Sequence, residues 1–157
     1  GKVWASGASY DVTRVIGGAE DSYTASAYDV GAAVSSGNLG LTAYWYDGDG
    51  AGTTLFGNLG VDATGNKRDS DGGYIQATYV IPTGTKLGLA YGESNLDKAT
   101  AADTAIVDKN ERWTIGAYHP LTKHLNLVAE YNQVKSEAHN NDENENDSFS
   151  LGAILFF

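Results

Sequence analysis

Ser148-Phe149-Ser150-Leu151-Gly152-Ala153-Ile154-Leu155-Phe156-Phe157 is the stretch whose reading decides the fold. One parity carries Phe149, Leu151, Ala153, Leu155 and Phe157. The other carries Ser148, Ser150 and Gly152, before Ile154 and Phe156 blur the contrast. Successive side chains of a strand point to opposite faces, so this run reads as a strand with one apolar face. The ends of soluble domains are commonly polar and loosely held, whereas here the final residues are among the most hydrophobic in the chain. A strand whose apolar face persists along its whole length needs an apolar surrounding on that side.

The same period of two recurs along the sequence. Leu39, Leu41, Ala43 and Trp45 alternate with Gly40, Thr42, Tyr44 and Tyr46. Leu87, Leu89 and Tyr91 alternate with Lys86, Gly88, Ala90 and Gly92. Leu125, Leu127, Ala129 and Tyr131 alternate with Asn126, Val128, Glu130 and Asn132. Strands are expected near 2–14, 22–36, 38–48, 72–82, 84–95, 111–121, 124–137 and 147–157. Alternation sustained this far argues for half-buried antiparallel strands.

Composition agrees. The chain holds 20 Gly, 10 Tyr and only 2 Pro in 157 residues, favouring turns and pleated surfaces over helix. Cysteine is absent, which removes disulfides and thiolate metal sites. A net charge of −10 argues against nucleic-acid binding, because phosphate contacts need clustered Lys and Arg. No run approaches the ~18 apolar residues of a membrane-spanning helix. Position 1 is not Met, so a processed or partial polypeptide is expected.

The expected connections sort by length. Short turns fall at Ser35–Asn38, Pro82–Thr85 and Leu121–His124, and longer external loops near 15–21, 49–71, 96–110 and 138–146. Short and long alternate, as in an up-and-down barrel with all tight turns at one end. The long segments are polar, HNNDENEND at 139–147 being the extreme, and read as solvated loops. Asp142, Glu143, Glu145 and Asp147 are hard oxygen donors, and the DGDG at 47–50 opens like a calcium loop. Its twelfth position is Asn58 rather than Glu, so no metal site is assigned.

Enzymatic readings lack a framework. His119, His124 and His139 are the only histidines, and no G-x-S-x-G elbow is present. No catalytic residue is assigned.

GKVWASGASYDV (1–12), TKLGLAYGES (85–94), ERWTIGAYHPLTKHLNLVAEYNQVKSE (111–137) and DSFSLGAILFF (147–157) together resemble the C-terminal part of Gram-negative general diffusion porins. Tyr118-His119-Pro120-Leu121-Thr122-Lys123-His124 and the terminus carry the likeness most closely. The resemblance implies an all-β transmembrane antiparallel up-and-down barrel, with about eight strands in residues 1–157 and about sixteen in the parent protein. It implies a water-filled outer-membrane channel without a cofactor, passing ions and small hydrophilic solutes. Phe157 becomes the assembly signal read by the barrel-assembly machinery. Outer-membrane lipid and lipopolysaccharide are the expected surroundings, and a homotrimer the expected assembly.

On this reading the polar parity faces the pore. Its candidate lining residues are Asp11, Asp29, Tyr44, Tyr46, Gln76, Lys86, Arg112, Glu130 and Asn132, among small residues such as Gly7, Ser9, Gly31, Gly40, Gly88 and Gly116. Trp4, Tyr10, Tyr28, Trp45, Tyr79, Tyr91, Trp113, Tyr131, Phe149 and Phe157 are expected on the lipid side. The acidic loops predict mild cation preference. Two alternatives stay open: a complete eight-stranded barrel serving as anchor, adhesin or structural protein, and a soluble lipocalin-like barrel with its apolar parity inside.

Overall fold

The computed structural model describes residues 1–16, 19–53 and 59–157. Eight strands follow in chain order: β1 (Lys2–Ile16), β2 (Ala19–Ser36), β3 (Leu39–Asp49), β4 (Asp69–Val80), β5 (Lys86–Leu96), β6 (Val107–Pro120), β7 (Leu125–Ala138) and β8 (Glu143–Leu155). They form one antiparallel sheet in which every strand pairs with its sequence neighbours. Among the described residues β1 and β8 do not pair or touch, so the sheet is open at both edges. The eight-stranded closed barrel therefore has no seam here.

Local chemistry explains the tight end. Gly37 has φ of 57°, the positive value that a two-residue hairpin needs at its first central position. At the β4–β5 connection Pro82 presets the turn, the Gly84 amide donates to the Ile81 carbonyl at 2.9 Å, and Gly84 takes φ of 83°. At the opposite end the strands run further than the apolar pattern suggests. β8 begins at Glu143 and thus takes in polar residues read from the sequence as loop. Cross-strand polar pairs hold this extension: Lys135 donates to Glu143 at 2.8 Å and Gln133 to Glu145 at 2.6 Å.

Directly opposed residues share a face, so the register assigns every strand position to one side. One row runs Val34–Leu41–Ala77–Leu89–Ile115–Tyr131–Phe149 across β2 to β8, apolar or aromatic at every step. Nearer the loops comes an aromatic tier, with Tyr91 and Trp113 at 4.6 Å between ring centroids. Beyond it lies the charged row Glu93–Glu111–Lys135–Glu145. The Tyr91 hydroxyl spans the last two tiers, lying 2.7 Å from both Glu93 and Glu111, to either of which its one proton can be donated. Hydrocarbon, then aromatic rings with wet hydroxyls, then charge is the succession found at a membrane boundary.

This apolar face is the exposed one. Ile75 is 62% accessible, Ile115 57% and Leu151 75%, whereas the fully buried hydrophobics among the described residues are Ala25 and Leu96 alone. Along β3 the apolar Leu39, Leu41, Ala43 and Trp45 are exposed, while the intervening Gly40, Thr42, Tyr44 and Tyr46 are half-buried. A lipocalin-like barrel requires the reverse, and its apolar interior is not formed.

Fixed contacts tie the described loop residues together. Arg68, 4% exposed, donates to the carbonyls of Leu59 and Val61 at 3.0 and 2.6 Å and to Asp103 of the 97–106 loop at 2.8 and 3.0 Å. Asp62 accepts from the amides and side chains of Thr64 and Asn66 between 2.8 and 3.0 Å. The Asn66 side chain, aided by Thr64, holds this carboxyl well below the usual carboxylate range. Arg14 of β1 donates to the Asp62 carbonyl at 2.7 Å while paired with Asp21. His139 contacts the Leu96 carbonyl at 2.8 Å and Asp108 at 3.3 Å. Composition predicted solvated loops; fixed hydrogen bonds and charge pairs order them without an apolar core.

Two outcomes follow. With lipid as the solvent of the apolar face, Ile115→Lys should cost about 2–4 kcal/mol in a urea titration of the liposome-assembled protein, and Thr114→Lys on the other face far less. In the loops, Asp103→Ala leaves Arg68 buried without its carboxylate, costing about 3 kcal/mol and exposing 59–68 to limited proteolysis. A depressed carboxyl stabilises fully above its unfolded value and loses that contribution as pH falls. Protease resistance should therefore hold from pH 8 to about 5, decline below about pH 4, and be absent throughout in Asp62→Ala.

Candidate functional site

The polar face is a continuous surface built by every strand. One row runs Trp4–Gly31–Tyr44–Tyr74–Gly92–Arg112, and the next toward the loops Ser6–Asp29–Tyr46–Gly72–Ser94. On the turn side follow Lys2–Ala33–Thr42–Gln76–Ala90–Thr114–Asn132 and then Gly40–Thr78–Gly88–Gly116–Glu130. Lys86 and Tyr118 face each other in the row after that. Eight candidate residues, Asp29, Tyr44, Tyr46, Gln76, Lys86, Arg112, Glu130 and Asn132, thus share this face.

Asp11 does not. It opposes Thr24, whose hydroxyl donates to it at 2.8 Å, on the face that carries Tyr28 and Val30. Gly7 and Ser9 go with it, whereas Trp4 and Tyr10 lie on the polar side, opposing Gly31 and Ala25. The expected parity of β1 is therefore reversed. Its small residues stand on both parities and give no hydrophobic contrast, so only pairing with β2 fixes the register. Asp11 also lies beyond the apolar band, beside Ser9, Thr13, Ser22, Thr24 and Ser26, where the hairpin is polar on that side.

Two clusters organise the face. In the first, Arg112 donates to the Asn132 carbonyl oxygen at 2.7 Å and to the Thr114 hydroxyl at 3.2 Å. Thr114 in turn donates to Asn132 at 2.8 Å. Beside this triad Tyr118 donates to Glu130. The guanidinium is thus oriented by neutral groups, and among the described residues no carboxylate forms an ion pair with it. The second cluster is aromatic: Tyr44 stacks on Tyr74 at 5.6 Å and lies 6.3 Å from Tyr46.

Glycine makes room for these rings. A Cβ at Gly31 would fall 2.1 Å from the Trp4 ring, and one at Gly72 would fall 2.8 Å from the Tyr46 ring. Gly31 and Gly72 are therefore matched to aromatic neighbours, whereas Gly40 meets the Thr78 hydroxyl and Gly152 has open space beside it. Tyr74, Tyr118, Trp4 and the Lys2 ammonium 5.2 Å over the Trp4 ring also belong to this surface, Trp4 against its expected lipid-side placement. For Trp4 the only signal was the facing glycine, visible once register is known.

Among the described residues no group of three or more His, Asp or Glu side chains is placed to hold a metal. Glu143 and Glu145 are engaged by Lys135 and Gln133. A hollow of about 740 Å³ lies instead on the apolar face over Ala32, Ala43 and Ala77. It offers hydrocarbon and little for a hydrophilic ligand to bond.

The chain is similar in structure to the outer membrane channel DcaP of Acinetobacter baumannii, with a TM-score of 0.78 and 17% sequence identity. That likeness covers 98% of this chain and 53% of the channel's, so the chain spans about half the length of the structure it matches. No curated protein matches it in sequence. Residues 2–151 match the Gram-negative porin family, and so nearly the whole chain. With its fold and this match in agreement, the chain belongs to the Gram-negative porins, a family of outer-membrane transport proteins rather than of enzymes.

Proposed function

We propose that these residues form about half the wall of an outer-membrane diffusion channel, the C-terminal part of a roughly sixteen-stranded barrel. The observation that carries this is the open sheet. Its polar face is continuous, its opposite face is apolar and exposed, and among the described residues each edge strand is unpaired on its outer side. About sixteen strands enclose an aqueous lumen, whereas eight leave one that side chains fill. Ions and small hydrophilic solutes are the cargo of such a lumen. Asp29, Tyr44, Tyr46, Gln76, Lys86, Arg112, Glu130 and Asn132 are the proposed lining.

The expected cation preference needs a different origin once the register is known. With Asp11 on the other face, Asp29 and Glu130 stand against Lys2, Lys86 and Arg112, so this stretch of wall is not acidic. The loop end supplies the negative potential, through Asp49, Asp69, Asp97, Asp108 and Asp142 among others. Charge at a mouth acts over about 8 Å at physiological salt and less as salt rises.

The full polypeptide carrying this segment should conduct in planar bilayers. Its reversal potential in a KCl gradient should favour potassium about twofold at 0.1 M salt, and the preference should vanish near 1 M, where screening shortens to about 3 Å. Glu130→Gln should weaken the preference further and Asp11→Asn should not. Chloride selectivity at low salt would refute the mouth as its source.

A further inference from the structure

We propose that the apolar face carries a groove for one membrane lipid whose headgroup bears an ammonium group. Two hollows lie side by side on that face, of about 740 and 540 Å³, and share Val3, Ala32, Ala43, Ile75 and Tyr91 as lining. The first spreads over Ala32, Ala43 and Ala77 among Val34, Leu41 and Leu89. The second continues it past Gly73 to Asp71 and Glu93. Two aromatic pairs flank this path, Tyr28 with Trp45 at 5.6 Å between ring centroids and Tyr91 with Trp113 at 4.6 Å. Between them Gly73 opposes Trp45 on one strand and Glu93 on the other. It brings no side chain, so the aromatic tier is interrupted there.

The groove has the polarity of an amphiphile, hydrocarbon toward the tight turns and carboxylates toward the loops. From Ala77 to Asp71 it follows six residue steps of β4, about 20 Å at ~3.3 Å per residue. A strand tilt of about 40° makes this about 15 Å along the membrane normal, half of a hydrocarbon core ~30 Å thick. The acyl chain of one leaflet matches that length. The groove is also continuous with the surface for which lipid is already the solvent, and a chain laid in it regains the dispersion contacts that a hollow forfeits. Its polar end selects the headgroup. Asp71 opposes Asp47 and accepts from the Asn95 amide at 3.0 Å. Glu93 has Lys109 at 3.6 Å. Three carboxylates facing one lysine call for donors and positive charge from the occupant. An ammonium headgroup supplies both, and an anionic one supplies neither.

The test is native mass spectrometry of the full polypeptide in detergent, with dimyristoyl phosphatidylethanolamine and dimyristoyl phosphatidylglycerol as probes of equal chain length. One phosphatidylethanolamine per polypeptide should be retained, at about fivefold or more the occupancy of phosphatidylglycerol. Ala43→Phe/Ala77→Phe, which fills the floor of the groove, should cut that occupancy about fivefold. Ala117→Phe/Ala129→Phe, elsewhere on the same face, should leave it within about twofold. Asp71→Asn/Glu93→Gln adds no bulk and should erase the preference between the two lipids while one is still retained. That variant tests the site even where the phenylalanine variant does not assemble. Equal retention of both lipids by the parent, or retention indifferent to the groove variants, would overturn the proposal. A disulfide dimer of Ala43→Cys that sheds the lipid would also overturn it, assigning the groove to a second copy. Conductance is expected to stay unchanged in all these variants, so the channel reading stands or falls on its own test.

Discussion

A strand in hydrocarbon must have every backbone N–H and C=O bonded to another strand, because no water is present to satisfy them. β2 to β7 meet this condition on both sides, and β1 and β8 on one side only. Each unpaired edge is a row of orphan donors and acceptors, costly in lipid and prone to pairing with any available strand in water. The sheet is thus internally complete in its side chains but incomplete in its hydrogen bonding. Closing the proposed pore would require further strands beside both edges.

The sheet keeps two incompatible surfaces a few ångströms apart, and the pleat alone separates them. On one side Leu89 and Ile115 are neighbours in a row of hydrocarbon; on the other, one residue along each strand, Ala90 faces Thr114 beside Arg112 and Asn132. A slip of one residue would send the guanidinium into the apolar face. Glycine reinforces this register. Trp4 over Gly31 and Tyr46 over Gly72 are lock-and-key pairs that a shifted strand could not make.

Where alternation was strong, the sequence was nearly sufficient. In β3 and in β5 to β8, large apolar residues on one parity and Gly, Thr or charged residues on the other placed both faces correctly. In β1 that contrast is missing: Ala5, Gly7 and Ser9 differ little from Ser6 and Ala8, and reading Trp4 and Tyr10 as lipid-facing inverted the strand. Only the hydrogen-bonded partner in β2 resolves such a case. For the described loop residues, the contacts that hold them were illegible for another reason. Their order depends on Arg68 reaching Asp103, residues 35 positions apart, which no local pattern encodes. The Asp62-x-Thr64-x-Asn66 turn was legible in principle, since Asp accepting from the residues that follow it is a local motif.

The linkage among the loops has an evolutionary cost. Arg14 leans on the backbone of Asp62, Arg68 ties that loop to Asp103, and His139 reaches the end of β5 and Asp108. External loops of outer-membrane proteins are what antibodies and phages meet first, and drift there is a means of escape. Among the described residues, a change in one of these loops removes a partner from a residue in another. A replacement at Asp103 strands Arg68 in the neighbouring loop, so viable change must arrive in compensating pairs. Substitutions at Arg68 and Asp103 are thus energetically coupled although the two residues lie far apart in sequence.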